Sequence, residues 1–459
     1  MAALDHVLAE IAETRVMRHV GRVVSIDRTT AAIEGLSKVA SVGDVVSVDR
    51  RARSRGGEVV GVAEDAITVL SDGGTEGLRV GDRVLLDGCP ALFPAVSWIG
   101  RMIDPSGRSL DGRHVSRGRI GRRLHRAPPP PVDRRGLGPR LETGLRLFNT
   151  ILPIAHGQRI GLFAGSGVGK TTLLAQMARG IDADVAVVAL VGERGREVRE
   201  FVRRALGPEG MTRAVVVAAT SDRSPLERRR CLPAAVTIAE YFQDQGRHVL
   251  LIADSVTRFA EAHREVALAA GEAASLDGFP PSMLSAITSL AERTGPGAGG
   301  SGDITAIFSV LVAASDMEGP VADTLRGVLD GHVVLDREIA ERGRFPAVDV
   351  SRSVSRCLPD AGSAYENASI AKARAMLSAY ERAELMIQAG LYVPGSDPVV
   401  DRAIDVWPRL ERFFSQPERA NVAESFRALQ ECLDPPPADE GPGSPKATPR
   451  ASDLQSDPA

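Results

Sequence analysis

Uninterrupted apolar runs dominate the middle of the chain, from about residue 145 to residue 360. They recur at 159–163, 185–191, 215–218, 249–253, 304–312 and 332–335. Strands that are apolar without alternation are buried on both faces, as in a parallel sheet covered by helices. The segments 225–245 and 256–270 carry helical periodicity instead. This pattern predicts an α/β core built around a mainly parallel sheet.

The N-terminal part of the chain follows a different pattern. Leu4, Val7, Leu8 and Ile11 have helical spacing, which predicts a short amphipathic helix within residues 1–19. Such a helix either packs on its own domain or docks a regulatory partner. From residue 20 to residue 90, short β-branched runs alternate with Gly, Asp and Ser turns, which predicts a small β-barrel. Residues 1–90 contain no Phe, Tyr or Trp, which disfavours a barrel that stacks nucleic-acid bases.

An arginine-rich segment and the C-terminal part complete the domain order. Six arginines lie between residues 113 and 126, ahead of Pro128–Pro131, and indicate an extended crossover segment. They either form a solvated surface or contact phosphates or acidic partners. Residues beyond 434 have little apolar surface to bury and are expected to be disordered. The predicted order is helix 1–19, barrel 20–90, α/β core 91–360, helical domain 361–434 and disordered tail 435–459.

The amino-acid composition does not indicate which partners this protein binds, so they must be inferred from individual sites. The 459 residues include 56 Lys and Arg against 59 Asp and Glu, a net charge of −3, which gives no general attraction to nucleic acid or anionic membranes. The four cysteines are far apart and indicate neither a zinc site nor a disulfide framework. Since no signal-peptide pattern and no apolar run of about 18 residues occurs, we expect a cytoplasmic protein.

A glycine-rich segment directly follows the apolar run at 159–163 and precedes a helical pattern. In such a phosphate-binding loop the backbone N–H groups surround phosphates, Lys170 reaches the β- and γ-phosphates, and the Thr171 hydroxyl binds Mg²⁺. Ala164 stands where the pattern has its first glycine, which is tolerable if that residue needs no positive φ. The hypothesis is nucleotide hydrolysis. The predicted nucleotide-binding residues are Gly165, Ser166, Gly167, Val168, Gly169, Lys170, Thr171 and Thr172.

Two acidic residues follow neighbouring apolar runs. Asp254 ends the run at 249–253, an arrangement that holds the water shell of Mg²⁺ opposite Thr171. Glu193 follows the run at 185–191, from where a carboxylate faces the γ-phosphate and polarises the attacking water. On position alone, Glu193 could also be a helix-capping or surface carboxylate.

Five sequence blocks, in order, resemble the flagellar and type III secretion export ATPases, which are relatives of the catalytic subunit of rotary ATP synthases. The resemblance covers about residues 20–430, and the joint occurrence of the blocks is far more specific than any single block. The blocks are Phe163–Lys170, Val191–Glu197, Thr220–Pro225, Asp254–Phe259 and Ser353–Arg356.

The resemblance implies a homohexameric ring with ATP at the subunit interfaces. Each subunit would have an N-terminal β-barrel, a RecA-like P-loop core and a helical C-terminal domain. It also implies that Glu193 activates water, Arg194 lies near the γ-phosphate, and Asp254 supports Mg²⁺. Arg356 matches an arginine finger offered to the neighbouring subunit's nucleotide, and Phe413 aligns with an adenine-side aromatic residue.

The implied function is ATP hydrolysis coupled to chaperone release and export of flagellar proteins, at the inner face of the cytoplasmic membrane. The implied partners are a negative regulator or peripheral-stalk protein at the N-terminal helix, a central coiled-coil stalk protein, membrane proteins of the export gate, and chaperone–cargo complexes. Nucleic acid is not among them.

Several alternatives stay open at this point. They are an injectisome ATPase, the catalytic subunit of a rotary proton-translocating ATP synthase, an RNA-translocating hexamer and a non-catalytic ring subunit. The stretch 389–397 lacks the acidic segment of the synthase subunit, and Glu193 argues against a non-catalytic subunit. Ala273-Ala274 replaces a Pro-Pro pair usual in relatives, which leaves coupling to a central stalk open. The residues between Val312 and Asp316 lack acids that export ATPases often carry there, which leaves local contacts open.

Overall fold

The computed structural model describes residues 17–48, 55–275, 278–312, 319–415 and 421–435. The helix predicted within residues 1–19 and the tail predicted from residue 435 lie almost entirely outside these residues, as does most of the stretch Val312–Asp316. Within the described ranges, no helix combines the length and apolar character needed to cross a membrane.

Six antiparallel strands close into a barrel at the N-terminal end, in the order β1-β2-β5-β4-β3-β6. Alternating residues point inward along each strand, so Val23, Ile33, Val59 and Ile67 are at most 1% exposed. The sequence predicted this barrel correctly. Its strands are β1 (Val20–Ile26), β2 (Thr30–Glu34), β3 (Val45–Val48), β4 (Arg55–Val62), β5 (Ala66–Ser71) and β6 (Arg83–Gly88).

The central sheet has nine strands, eight of them in the order β17-β16-β10-β15-β13-β11-β12-β8, with β14 paired to β15. All neighbours are parallel except β16 with β17 and β14 with β15. The strands are β8 (Arg101–Ile103), β10 (Arg159–Ala164), β11 (Val185–Val191), β12 (Ala214–Ala219), β13 (Val249–Asp254), β14 (Gly295–Pro296), β15 (Asp303–Leu311), β16 (Gly331–Leu335) and β17 (Val348–Ser355).

Helices cover both faces of this sheet, which explains why its inner strands show no polar alternation. Every residue of β11, β12 and β13 is buried. The helices are α1 (Arg146–Asn149), α2 (Lys170–Gly180), α3 (Gly195–Glu200), α4 (Gly207–Met211), α5 (Pro225–Gln243), α6 (Val256–Ala269), α7 (Pro281–Glu292), α8 (Pro320–Val328) and α9 (Arg337–Glu341), with a π-helical turn at Phe201–Leu206.

The arginine-rich crossover segment lies against the core. Its short strand β9 (Arg122–Arg123) pairs with β7 (Ala91–Leu92). Arg122 forms an ion pair of 2.7 Å with Asp244, and the Arg117 guanidinium stacks on Phe93. Part of this segment is therefore bound to the protein itself rather than solvated.

Three helices form the C-terminal domain: α10 (Ala364–Gln388), α11 (Pro398–Ser415) and α12 (Val422–Leu433). Ser363 and Asn421 begin α10 and α12 with capping boxes, in which the cap side chain and a glutamate satisfy each other's backbone N–H groups. The domain docks on α1, where Asn149 Nδ2 donates to Ser425 Oγ at 3.1 Å. The predicted fold class, a RecA-like core between a small barrel and a helical domain, is confirmed.

Candidate active site

The predicted site residues meet at one edge of the central sheet. The phosphate-binding loop leaves β10, Glu193 follows β11, and Asp254 ends β13. These strands are parallel members of the same sheet, so their carboxyl ends share an edge. Leu190 pairs with Asp254 across β11 and β13, which places Glu193 just beyond that carboxylate.

Backbone geometry suits the loop to phosphate binding. Gly167 and Gly169 have φ of +79° and +88°, which L side chains rarely adopt. Ala164 is the last residue of β10 and pairs with Leu311 and Leu335, so the departure at this position is accommodated by ordinary strand backbone. Helix α2 begins at Lys170 without a side-chain cap, which leaves its first N–H groups for an anion.

The other loop residues differ in how far they are buried. Val168 is 2% exposed and packs into the core beneath the loop. Ser166, Thr171 and Thr172 are exposed, and Gly165 is half-buried. The residues that carry these hydroxyl groups are therefore accessible from solvent.

An ion pair joins the loop to β13. Lys170 Nζ and Ser309 Oγ both bind Oδ1 of Asp254, the serine at 2.7 Å. Asp254 is 3% exposed and Ser309 is fully buried. Neither bond uses Oδ2. Sequence reasoning missed Ser309, because a serine within an apolar strand gives no signal of its contacts.

Glu193 lies in an environment that favours its neutral form. Burial is the main cause and the nearby Asp254 charge the next, and together they raise the pKa of Glu193 to about 7, although Lys170 opposes the shift. A carboxylate with such a pKa is a stronger proton acceptor than an ordinary glutamate. This environment fits a base better than a surface carboxylate.

Two arginines flank Glu193. Arg194 is the N-cap residue of α3, and its 76% exposed side chain pairs with Glu197 at 3.4 Å. Arg258 Nη1 binds Glu261 at 2.9 Å, and its pKa is raised mainly by Glu261 and further by the charge of Glu193. Its Nε atom is buried and has no partner among the described residues. Sequence reasoning gave Arg258 no role although it lies in one of the five blocks.

Phe413, which the sequence resemblance assigns to the adenine side, is a buried residue of α11. Its side chain is 2% exposed and packs against Phe414, with the Arg146 guanidinium over its ring. The C-terminal helices bury this face of α11 against the core, and the assignment of Phe413 to the adenine side stays a prediction.

Phe345 is the aromatic residue that the structure places beside the phosphate-binding loop. A Cβ built on Gly169 would lie 3.3 Å from Phe345 Cδ1, and Phe345 is 50% exposed. An exposed ring next to a phosphate loop can stack on a base. The sequence gave no indication of this proximity, which joins residues 176 positions apart along the chain.

Arg356 lies at the opposite edge of the sheet from the loop. Ser355 pairs with Gly331, the first residue of β16, whereas the last residue, Leu335, pairs with Ala164. The length of β16, roughly 13 Å, therefore separates Arg356 from the loop edge. Arg356 donates instead to the carbonyl of Leu329 at 3.1 Å. It cannot serve its own subunit's loop, whereas its exposed position allows it to face another subunit.

The residues present fit a magnesium nucleotide. Thr171 and Asp254 offer oxygen ligands of the kind that Mg²⁺ prefers, and Lys170 and the α2 N–H groups offer donors for phosphates.

Comparison with known proteins extends this picture. The nucleotide-binding domain of the ATP synthase alpha/beta family matches residues 144–355, and the T3SS EscN ATPase C-terminal domain matches residues 363–431. Over 425 residues the chain is 42% identical to a flagellum-specific ATP synthase of Caulobacter vibrioides, covering 90% of this chain and 95% of that protein. A flagellum-specific ATP synthase of Salmonella typhimurium is 43% identical, with 81% of this chain and 80% of that protein covered.

Type III secretion proteins are similar as well. A type 3 secretion system ATPase of Xanthomonas euvesicatoria is 40% identical, covering 89% of this chain and 92% of that protein. The assembled ATPase EscN of enteropathogenic E. coli superposes with a TM-score of 0.83 at 36% identity, covering 90% of this chain and all of that one. A second EscN structure, in complex with its central stalk EscO, gives the same TM-score at 37% identity, again covering 90% of this chain and all of that one.

Proposed function

The chain belongs to the family of flagellum-specific ATP synthases and type III secretion ATPases, and from this premise we propose that it is a Mg²⁺-dependent ATP hydrolase that drives export of flagellar proteins. One observation carries the chemistry: Glu193, whose pKa is raised to about 7, lies beside Asp254 and Lys170 at the loop edge of the sheet. A ring subunit that only bound nucleotide would have no need of such a base.

ATP is the substrate, and the loop binds its phosphates. The N–H groups at the start of α2 and the Lys170 ammonium neutralise the phosphate charge. Because Lys170 is paired with Asp254, ATP must replace a carboxylate as the partner of this ammonium. Thr171 and Asp254 would hold Mg²⁺, which when bound neutralises charge on the β- and γ-phosphates.

Glu193 supplies the proton acceptor. Its carboxylate orients a water molecule toward the γ-phosphate and takes up a proton from this water as the new O–P bond forms. The bond between the γ-phosphorus and the β–γ bridging oxygen breaks in the same step, and ADP leaves with the electron pair. Arg194 and Arg258 flank this position, and Arg194 has the exposed side chain that can turn toward the phosphate. Phe345 stacks on the adenine.

A homohexamer completes the site. Arg356 faces away from its own loop, so it serves as the arginine finger for the nucleotide of a neighbouring subunit. Hydrolysis then depends on assembly, since such a finger contributes about 10³–10⁵ in rate. The complex of the relative EscN with its central stalk EscO supports a stalk protein as partner. The further partners of this proposal are a negative regulator, the export gate and chaperone–cargo complexes.

The test replaces the chromosomal gene with one encoding Glu193→Gln. The purified variant should bind Mg-ATP yet release no phosphate, and the cells should lose flagellar proteins from the culture medium. Glu200→Gln is the matched control, because Glu200 is an exposed carboxylate on the same segment. Loss of other secreted proteins with intact flagella would indicate an injectisome ATPase instead, and loss of proton-driven ATP synthesis would indicate a synthase subunit.

A further inference from the structure

A cavity of about 360 Å³ lies where the crossover segment meets α5, α6 and α7. None of the phosphate-loop residues lines it. Its polar lining includes Arg126, Arg229, Arg230 and Arg293, together with His125 and His263. The arginine-rich segment found in the sequence thus contributes to a basic cavity, and the proposed ATPase cycle uses none of these residues.

Positive charge exceeds negative charge around this cavity. Glu58 of the barrel is 4% exposed and accepts hydrogen bonds from both Arg229 and Arg230, so these two guanidinium groups share one acceptor. Asp72 lies 3.7 Å from Arg230 as a second carboxylate, so the excess positive charge at the cavity comes from Arg126.

The remaining two arginines differ in their pairing. Arg293 is neutralised by Glu240 at 2.8 Å. Arg126 has no hydrogen-bond or ion-pair partner within the described part of the chain, and its residue is exposed at the cavity mouth. Arg126 is therefore the donor available to an incoming anion.

The pKa values of the two histidines are affected by the same positive charge. The pKa of His125 is lowered, and that of His263 is lowered to about 4. For both histidines burial is the main cause and the charge of Arg229 is the next. His263 Nε2 is hydrogen-bonded to Ser282 Oγ at 2.9 Å. The positive charge of the arginines thus opposes protonation of both imidazoles.

The rest of the lining is apolar. Leu124, Phe259 and Leu290 are buried core residues that reach the cavity, and Pro233 of α5 lies beside them. An inorganic anion alone would leave this surface uncovered, whereas an anion attached to an apolar group would cover it and gain from its burial.

We propose that this cavity binds a small phosphate ester whose phosphate contacts Arg126 and the Arg229–Arg230 pair and whose apolar or aromatic part packs on Phe259 and Leu290. Because Arg229 and Arg230 also hold Glu58, the ligand shares the donors that fix the barrel to the core.

The experiment titrates phenyl phosphate calorimetrically into the full-length protein in the presence of saturating Mg-ADP, so that the phosphate loop is occupied. We expect one saturable site per chain, weaker binding of inorganic phosphate, and no binding of phenol. Arg126→Ala should weaken phenyl phosphate binding about tenfold, as for loss of one charge-assisted hydrogen bond, and Arg126→Lys should recover part of it.

Arg123→Ala is the matched control. Arg123 lines an adjoining cavity but not this one, so its loss should leave the affinity unchanged. Absence of saturable binding under Mg-ADP, or an equal effect of Arg123→Ala and Arg126→Ala, would overturn the proposal. Neither result depends on hydrolysis.

Discussion

Lys170 and Asp254 form an ion pair that joins the first residue of the loop helix α2 to the last residue of β13. Their side chains are only 11% and 4% exposed, so the pair is largely removed from water. In this arrangement the Asp254 carboxylate is paired with the Lys170 ammonium, which would also bind a phosphate. When a nucleotide binds, a phosphate therefore replaces Asp254 as the partner of Lys170. A residue that fixes the position of Asp254 influences this replacement.

Ser309 holds Asp254 through the 2.7 Å hydrogen bond to Oδ1. Ser309→Ala should raise the Mg²⁺ concentration needed for half-maximal ATPase activity about tenfold, because a charge-assisted hydrogen bond that orients the carboxylate is lost. Ser309→Thr retains the hydroxyl and is the control. The measurement is phosphate release against Mg²⁺ concentration at saturating ATP, and an unchanged curve for Ser309→Ala would exclude this role.

Glu193→Gln should change stability in a pH-dependent way. The folded protein raises the pKa of Glu193 from 4.5 to about 7, so ionisation destabilises the fold progressively as pH rises through this interval. The nucleotide-free variant should thus melt at a higher temperature than the wild type at pH 8, and the difference should shrink toward pH 5. Differential scanning calorimetry tests this, with Glu200→Gln as control. A constant difference across pH would show that burial of Glu193 is not the cause.

Arg356→Ala should bind nucleotide and still form rings but lose the rise of specific activity with protein concentration. The expected loss in the assembled state is about 10³-fold or more. Arg352→Ala, from the strand β17 that directly precedes Arg356, provides the comparison. ATPase assays across a dilution series, with ring formation followed by light scattering, decide the outcome. A variant whose activity still rose normally on assembly would not have lost an arginine finger.

Phe345→Ala should raise KM for ATP about tenfold with little change in kcat, because base stacking on an aromatic ring contributes about 1–3 kcal/mol. Phe345→Tyr should retain the wild-type KM. Phe413→Leu should lower the melting temperature and leave KM unchanged, since Phe413 is a core residue. The reverse pattern, with KM sensitive to Phe413 and not to Phe345, would support the assignment of Phe413 to the adenine side that was made from the sequence.

Glu58→Gln should loosen the barrel on the core. Removal of the charge leaves Arg229 and Arg230, whose side chains are 18% and 11% exposed, without their shared carboxylate. Breaking a buried pair in this way costs about 3–5 kcal/mol. Hydrogen exchange followed by mass spectrometry should show faster exchange in β1 to β6 than in the central sheet. Exposed Glu64→Gln is the control, and unchanged barrel protection in Glu58→Gln would contradict the prediction.

The sequence by itself determined the fold class and the chemistry at the loop edge. Uninterrupted apolar runs predicted buried parallel strands, and parallel strands bring their carboxyl ends together. The phosphate loop, Glu193 and Asp254 follow three such strands directly, so their proximity could be argued from local sequence. The spacing of glycines before Lys170 likewise fixed a backbone conformation that depends on few neighbours.

Only the tertiary structure decided which distant side chains meet. Phe345 and Phe413 are equally aromatic in the sequence, but packing of the C-terminal helices buries one and leaves the other exposed beside Gly169. Ser309 and Glu58 acquire roles from partners on other elements, Asp254 and the arginines of α5. Such contacts depend on how helices and strands pack across long sequence separations, whereas strand periodicity and loop conformation are set by residues close together along the chain.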